Sequence, residues 1–356
     1  MSISPKSMRG ATLPGTKEAR LGDFPVPEPG YGQVLLKMMA SGICGSDLSY
    51  IWAGHKTFEG MDGPAYKGVI AGHEPAGVVV AVGDGVTRAR SGDRVLLYHV
   101  AGCGQCRNCR AGYDISCHGP HAAYGWQRDG GHGEFILAEE RSVIPLPPEL
   151  SFEDGALISC GFGTAYEGLL RAEVNGADTL LVTGLGPVGM AVAMLGRALG
   201  ARRVIGVDLT PSRLEFAQKL GLLDEGVVAG DEAVDNAIEA NQGEHFSVSL
   251  DCSGSRAGRS LALRATGEWG RVGLLGEGGD LVTDVSDTLL HRHMTITASW
   301  VTSLTRMEEL AANLVSWGLH PHDIVTHRFG LESVDEAYAT AAAGETGKVC
   351  LVGEGP

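Results

Sequence analysis

Four cysteines fall within one short stretch, at Cys103, Cys106, Cys109 and Cys117. Thiolates that close in sequence can complete a tetrahedral zinc shell, with Zn–S distances near 2.3 Å and no position left for a substrate. Such a site is structural. The competing reading is a chance grouping of free or disulfide-bonded thiols, which the spacing disfavours.

A second metal reading rests on residues far apart in the chain: Cys44 followed by Gly45, Ser46 and Asp47; His73 followed by Glu74 and Pro75; and Cys160 between Ser159 and Gly161. Two thiolates and one imidazole leave one tetrahedral position open, as a catalytic zinc requires. Taken singly each is weak, since a lone cysteine is usually a small core residue and a lone histidine a packing or surface residue.

A third pattern, Gly184, Gly186, Pro187, Val188 and Gly189, follows an apolar β-branched run and opens a helical stretch. Glycines there permit a tight turn and a close approach of backbone to a pyrophosphate, and the helix N-terminus supplies N–H donors. Pro187 suits the first helical turn, where its missing N–H has no partner to lose. Asp208 closes the next strand-like run, where a carboxylate can accept ribose hydroxyls and repel a 2′-phosphate. The pattern favours NAD over NADP.

The elements that carry these residues read as two kinds of organisation. Between about 33 and 143, short β-branched runs alternate with glycines, which suggests a compact β-rich domain with functional loops. From about 179 onward, strand-like runs at 179, 203, 246 and 271 alternate with helical stretches after Val188, Pro211, Glu232 and Arg256. That rhythm builds a doubly wound parallel sheet of Rossmann type. A helix-rich tail including Leu331 to Ala343 ends in a strand-like run from Lys348.

The combination resembles the zinc-containing medium-chain dehydrogenase/reductase family of alcohol, polyol and threonine dehydrogenases. The segment from Gly72 to Gly77, then Gly83 and Gly92 to Val95, is similar to the family signature, and four motifs stand in the family's order over nearly the whole chain. The resemblance implies an α/β fold: a GroES-like catalytic domain over 1–160, a Rossmann NAD-binding domain over 161–297, and a segment 298–356 returning to the first domain. It implies catalytic zinc on Cys44, His73 and Cys160, with structural zinc on Cys103, Cys106, Cys109 and Cys117: two ions per subunit.

The same resemblance makes Glu74 a nearby carboxylate and possible alternate ligand, lets Asp47 orient His73, and lets Ser46 accept the substrate proton. It places Thr164 and Val188 near the nicotinamide, Arg213 near the adenosine ribose and Lys348 near the pyrophosphate. Tyr50, Trp52, Phe162 and Trp300 are pocket candidates by position. One departure is Ser49, which stands where many relatives carry a relay histidine; water or His55 is the substitute. Homodimer or homotetramer assembly is implied as well.

Other features fit a soluble enzyme. Acidic residues number 43 against 28 basic ones, a net charge of −15, which disfavours nucleic acid and anionic lipid. The first residues lack the apolar core of a secretory signal, so a cytoplasmic location is expected. The uncharged stretch 179–196 approaches spanning length, but its glycine turn points to strand, turn and buried helix rather than a membrane segment. His291 and His293 read as surface or interface residues, and Cys252 and Cys350 as core.

The expected activity is reversible NAD-linked oxidation of a small secondary alcohol, polyol, sugar or related hydroxy compound. Two alternatives are a zinc-independent NADPH reductase of double bonds with the same fold, and a noncatalytic zinc- and dinucleotide-binding protein.

Overall fold

The computed structural model describes residues 6–56, 65 and 67–353. The chain divides into two compact units, one running up to Gly163 and resuming at Thr302, the other spanning Thr164–Val301. These boundaries lie three to four residues beyond the expected positions of 160 and 297.

The first unit is built on a seven-stranded sheet. Its spatial order is Val325–Phe329, Lys348–Val352, Gln33–Gly42, Glu74–Val82, Arg94–Leu97 and Val143–Pro145, with Phe135–Glu139 also paired to Gln33–Gly42. Val34, Leu36, Met38, Val79, Val95, Leu97, Tyr124 and Ile136 pack one buried cluster against this sheet. Register matters to the site: Gly42 pairs with Glu74 on one side and with Cys350 on the other. The strand Lys348–Val352 therefore lies beside the strand that leads to Cys44, one strand removed from the one that leads away from His73.

The second unit is a six-stranded parallel sheet. Numbered along the chain, Thr179–Thr183, Arg203–Asp208, Glu225–Val228, Phe246–Asp251, Thr266–Leu274 and Thr295–Ala298 stand in the order 3-2-1-4-5-6. Helices Pro187–Ala198, Pro211–Lys219, Ala233–Ala240 and Arg256–Ala265 connect them. All five residues of Thr179–Thr183 are buried, as a central strand covered on both faces requires. The long apolar stretch is thus a strand followed by a helix, and among the described residues no helix is long and apolar enough to cross a membrane.

Two strands of this sheet, Glu225–Val228 and Thr295–Ala298, were not legible beforehand. Both are edge strands and partly exposed, so neither carries a continuous apolar run. In the tail, the helix is Val334–Ala342, preceded by a single 3₁₀ turn at Leu331–Ser333.

Candidate metal centres and cofactor loop

Cys44, His73, Glu74 and Cys160 come from three separate segments, yet one ligand atom from each lies within 4.8 Å of all the others. Cys44 precedes the π-helical turn Asp47–Trp52, His73 immediately precedes the strand Glu74–Val82, and Cys160 sits in the π-helical turn Ile158–Phe162. Such turns widen the helical ladder and are frequent at functional sites.

Asp47 organises this group. Its Oδ1 lies 2.9 Å from His73 Nδ1 and its Oδ2 accepts the Cys44 N–H at 3.0 Å. With Nδ1–H donated to the carboxylate, the lone pair of Nε2 is directed away from Asp47, and Ser46 Oγ lies 3.4 Å from that nitrogen. Two sulfurs, one imidazole nitrogen and an open position fit a zinc ion, for which tetrahedral ligand edges are about 3.3–3.8 Å.

The protons in this group are unevenly shared. The Cys160 thiol hydrogen-bonds the Cys44 sulfur, which holds the Cys44 pKa well below the usual thiol range and the Cys160 pKa well above it. Burial opposes charge on His73, yet Asp47 and Cys44 together hold its pKa well above the usual imidazole value. Burial pushes the Glu74 carboxyl up to about 7, partly offset by Lys348. Glu74 Oε1 is buried and has no hydrogen-bond partner among the described residues, an acceptor that a cation would satisfy.

The ligand atoms of Cys103, Cys106, Cys109 and Cys117 likewise all lie within 4.8 Å of one another. Cys103 Sγ and Cys109 Sγ are 4.0 Å apart, close to the edge of about 3.8 Å expected for a ZnS4 tetrahedron. Main-chain N–H groups point at the sulfurs: Cys106 to Cys103 at 3.4 Å, Cys103 to Cys117 at 3.3 Å and Gly119 to Cys117 at 3.3 Å. Such donors favour thiolate, and backbone N–H bonding holds the Cys106 pKa down to about 6. Asp114 closes the loop by accepting the Gly102 N–H and pairing with Arg141 at 2.8 Å.

In the second unit the three glycines have separate jobs. Gly184 adopts φ +86°, which favours glycine, and a side chain there would meet the Ser253 backbone at 2.8 Å. A Cβ on Gly189 would stand 1.8 Å from the Gly184 carbonyl, so only glycine lets the helix seat against the turn. Gly186 differs: at φ −68° its nearest neighbour to an added Cβ is Arg213 Nη1, 4.0 Å away. The space over Gly186 is open, which is what a pyrophosphate lying on the loop needs. Asp208 accepts the Leu185 N–H at 2.6 Å and the Thr210 N–H at 2.8 Å, and Arg213 Nη1 lies 4.0 Å from it.

Comparison with known proteins agrees with this geometry. Residues 30–148 match the alcohol dehydrogenase GroES-like domain family and residues 187–317 the zinc-binding dehydrogenase family. The zinc-type alcohol dehydrogenase-like protein YphC of Escherichia coli is 52% identical over 97% of this chain and 99% of its own length. The chain belongs to the zinc-containing medium-chain dehydrogenase/reductase family. An L-threonine 3-dehydrogenase of Rhizobium johnstonii is 31% identical over 92% of this chain and 93% of its own. Acetophenone reductase from Geotrichum candidum, solved in complex with NAD, superposes with a TM-score of 0.83 at 26% identity, covering 99% of each chain.

The structure gives each of the remaining expected site residues its surroundings. Lys348, expected at a pyrophosphate, is buried with its Nζ 2.5 Å from Glu74 Oε2. The register of the C-terminal strand delivers it there, and Gly42 makes the room, since a Cβ at Gly42 would lie 1.9 Å from Glu74 Oε2. His55 is not free to relay protons: Leu13 O lies 2.7 Å from Nε2 and Ala65 O 3.1 Å from Nδ1. Ser49 is exposed.

Among the pocket candidates, Phe162 is 1% exposed and belongs to the packed core. Tyr50 is half-buried with its ring 6.2 Å from that of Trp126, and Trp52 buries an Nε1 with no partner among the described residues. Thr164 begins the second unit as a half-buried residue of helix Gly163–Arg171, while Val188 and Trp300 are half-buried in the same unit. Cys252 is half-buried just past its strand rather than core, whereas Cys350 is fully buried. His291 and His293 are exposed, and His293 stacks on Trp269 at 4.0 Å.

Two buried histidines were missed. His99 lies with its ring 5.5 Å from that of His73 and donates from Nδ1 to the Ser159 carbonyl at 2.8 Å, beside Cys160. His132 donates from Nε2 to the Gly42 carbonyl at 3.3 Å and accepts the Tyr338 hydroxyl on Nδ1 at 3.1 Å. It packs on Gly72, whose added Cβ would meet its ring at 2.3 Å. Neither sits in a recognisable motif; the one available signal was a histidine within an apolar or glycine-rich run.

Proposed function

We propose that this chain is a zinc-dependent, NAD-linked alcohol dehydrogenase acting reversibly on a secondary alcohol, polyol, sugar or related hydroxy compound, with one catalytic and one structural zinc per subunit. The reading rests above all on the convergence of Cys44, His73 and Cys160, with Asp47 holding the far nitrogen of His73 at 2.9 Å. When bound, zinc lowers the pKa of an alcohol hydroxyl toward neutrality and NAD takes up the hydride.

The chain's own residues do the rest. Asp47 fixes the His73 tautomer and holds the backbone of Cys44, so two of the three ligands share one support. Ser46, whose Oγ stands 3.4 Å from His73 Nε2, takes the substrate hydroxyl proton in the oxidative direction and returns it in reduction. Water completes the relay outward, since Ser49 carries no imidazole and both ring nitrogens of His55 face main-chain carbonyls. Glu74 stands ready as an alternate ligand, with Lys348 balancing its charge.

The glycine loop receives the pyrophosphate over Gly186, and Asp208 at the end of its strand receives the ribose hydroxyls in preference to a 2′-phosphate. Arg213 steadies Asp208 from 4.0 Å. Exposed Trp269, Val282, Val285 and Leu290 on the second unit support assembly into a homodimer or homotetramer. A cytoplasmic setting suits eight unpaired cysteines.

The test is a steady-state screen of NAD-linked oxidation over alcohols, polyols, sugars and amino alcohols. Turnover of at least one class, abolished in Cys44→Ser, supports the reading. Reduction of conjugated double bonds with NADPH and no alcohol oxidation would replace it.

A further inference from the structure

A third cluster lies in the first unit, apart from both cysteine groups. Asp154, His320 and His322 each place one ligand atom within 4.8 Å of the other two. Asp154 belongs to helix Phe152–Leu157 and is fully buried, while His320 caps the turn Pro321–Ile324 and His322 lies within it, with side chains 40% and 34% exposed.

We propose that Asp154, His320 and His322 form a further metal site, taking a divalent first-row transition ion such as zinc through one carboxylate oxygen and two imidazole Nδ1 atoms. His322 Nδ1 is 2.9 Å from Asp154 Oδ1 and His320 Nδ1 is 3.4 Å from Asp154 Oδ2. Around an ion with ligand bonds of about 2.0–2.1 Å, tetrahedral edges are about 3.3 Å, so small rotations suffice to seat it. Two imidazoles with one carboxylate select zinc-like ions over calcium or magnesium, which prefer all-oxygen shells.

Helix capping does not account for the cluster. Asp154 already completes a capping box, its Oδ2 accepting the Ser151 N–H at 2.8 Å and the Ser151 hydroxyl at 2.9 Å. Its Oδ1 accepts the His322 main-chain N–H at 2.8 Å. The two ring nitrogens are additional to that satisfied carboxylate and turn the same edge toward it. On the far side of one ring, Asp323 Oδ1 lies 3.8 Å from His322 Nε2, outside hydrogen-bond reach but near enough to favour positive charge there.

Three protein ligands and exposed rings give an open, exchangeable site. An ion there joins the helix that runs on into the Cys160 turn to the segment before strand Val325–Phe329.

The test uses full-length protein that keeps its tightly held zinc after dialysis into metal-free buffer. Calorimetric titration with zinc should show one added equivalent and a rise in Tm, both lost in the double variant His320→Ala/His322→Ala. That variant keeps the Ser151–Asp154 cap, so before zinc is added it should fold and carry the same tightly held zinc as the parent. Cobalt bound at the added site should lack the sulfur charge-transfer band. Cys44→Ser should keep the added equivalent, which separates this site from the catalytic reading. No added equivalent in the parent, or one that survives in the double variant, overturns the proposal.

Discussion

Lys348 and Glu74 form a buried ion pair, Nζ to Oε2 at 2.5 Å, beside the group of Cys44, His73 and Cys160. Burial lowers the lysine's affinity for its proton, but Glu74 and Cys44 more than reverse that, so the ammonium stays charged. Removing one partner of such a pair leaves an uncompensated buried charge, at a cost of about 3–5 kcal/mol. Lys348→Met should therefore lower stability by about that amount in urea denaturation; a loss below about 1 kcal/mol would mean that Glu74 is neutral or otherwise satisfied.

Gly186 and Gly189 should respond oppositely to the same methyl group. Gly186→Ala enters open space and should leave Tm nearly unchanged while raising KM for NAD roughly tenfold or more, as overpacking against the cofactor costs about 1–3 kcal/mol. Gly189→Ala drives a Cβ to 1.8 Å from the Gly184 carbonyl and should lower Tm as well. Equal effects of the two on stability would contradict the division of labour in the loop.

His132 should make the protein acid-sensitive. Burial holds its pKa down from 6.5 to about 4, so the folded protein keeps it neutral where the unfolded chain binds a proton. Its stabilising contribution is complete above pH 6.5 and is lost as pH falls toward 4, by up to about 3 kcal/mol. In stability measured against pH, His132→Gln should flatten that acid limb by up to one proton; an unchanged slope would show that His132 is not the titrating group.

The four-cysteine loop should matter to folding before chemistry. Cys106→Ser is expected to lose one zinc equivalent and lower Tm, because a closed site contributes its binding energy to folding. Unchanged metal content and Tm would exclude a structural ion on Cys103, Cys106, Cys109 and Cys117.

Local patterns in the chain made much of this readable. The cysteine spacing, the glycine turn between strand and helix, and the run ending at Asp208 each lie within a few residues, so their geometry follows from backbone rules. Cys44, His73 and Cys160 were legible through resemblance to a family, since no periodicity brings residues 116 positions apart together. The pairing of Lys348 with Glu74, the placement of His132 and the Asp154 cluster were not legible. Their partners come from register across a sheet and from chain segments that return after more than 150 residues, as with Asp154 and His320. Short edge strands such as Thr295–Ala298 escaped because half-exposed strands carry no distinctive apolar run.

The central claim is that Cys44, His73 and Cys160 hold the ion that activates the alcohol. It is tested most directly by measuring tightly held zinc, NAD binding and turnover together in Cys44→Ser. The account predicts one zinc equivalent lost, turnover abolished and NAD affinity within about threefold of the parent, a difference of under 1 kcal/mol. Full turnover in a variant that has lost that equivalent would contradict it.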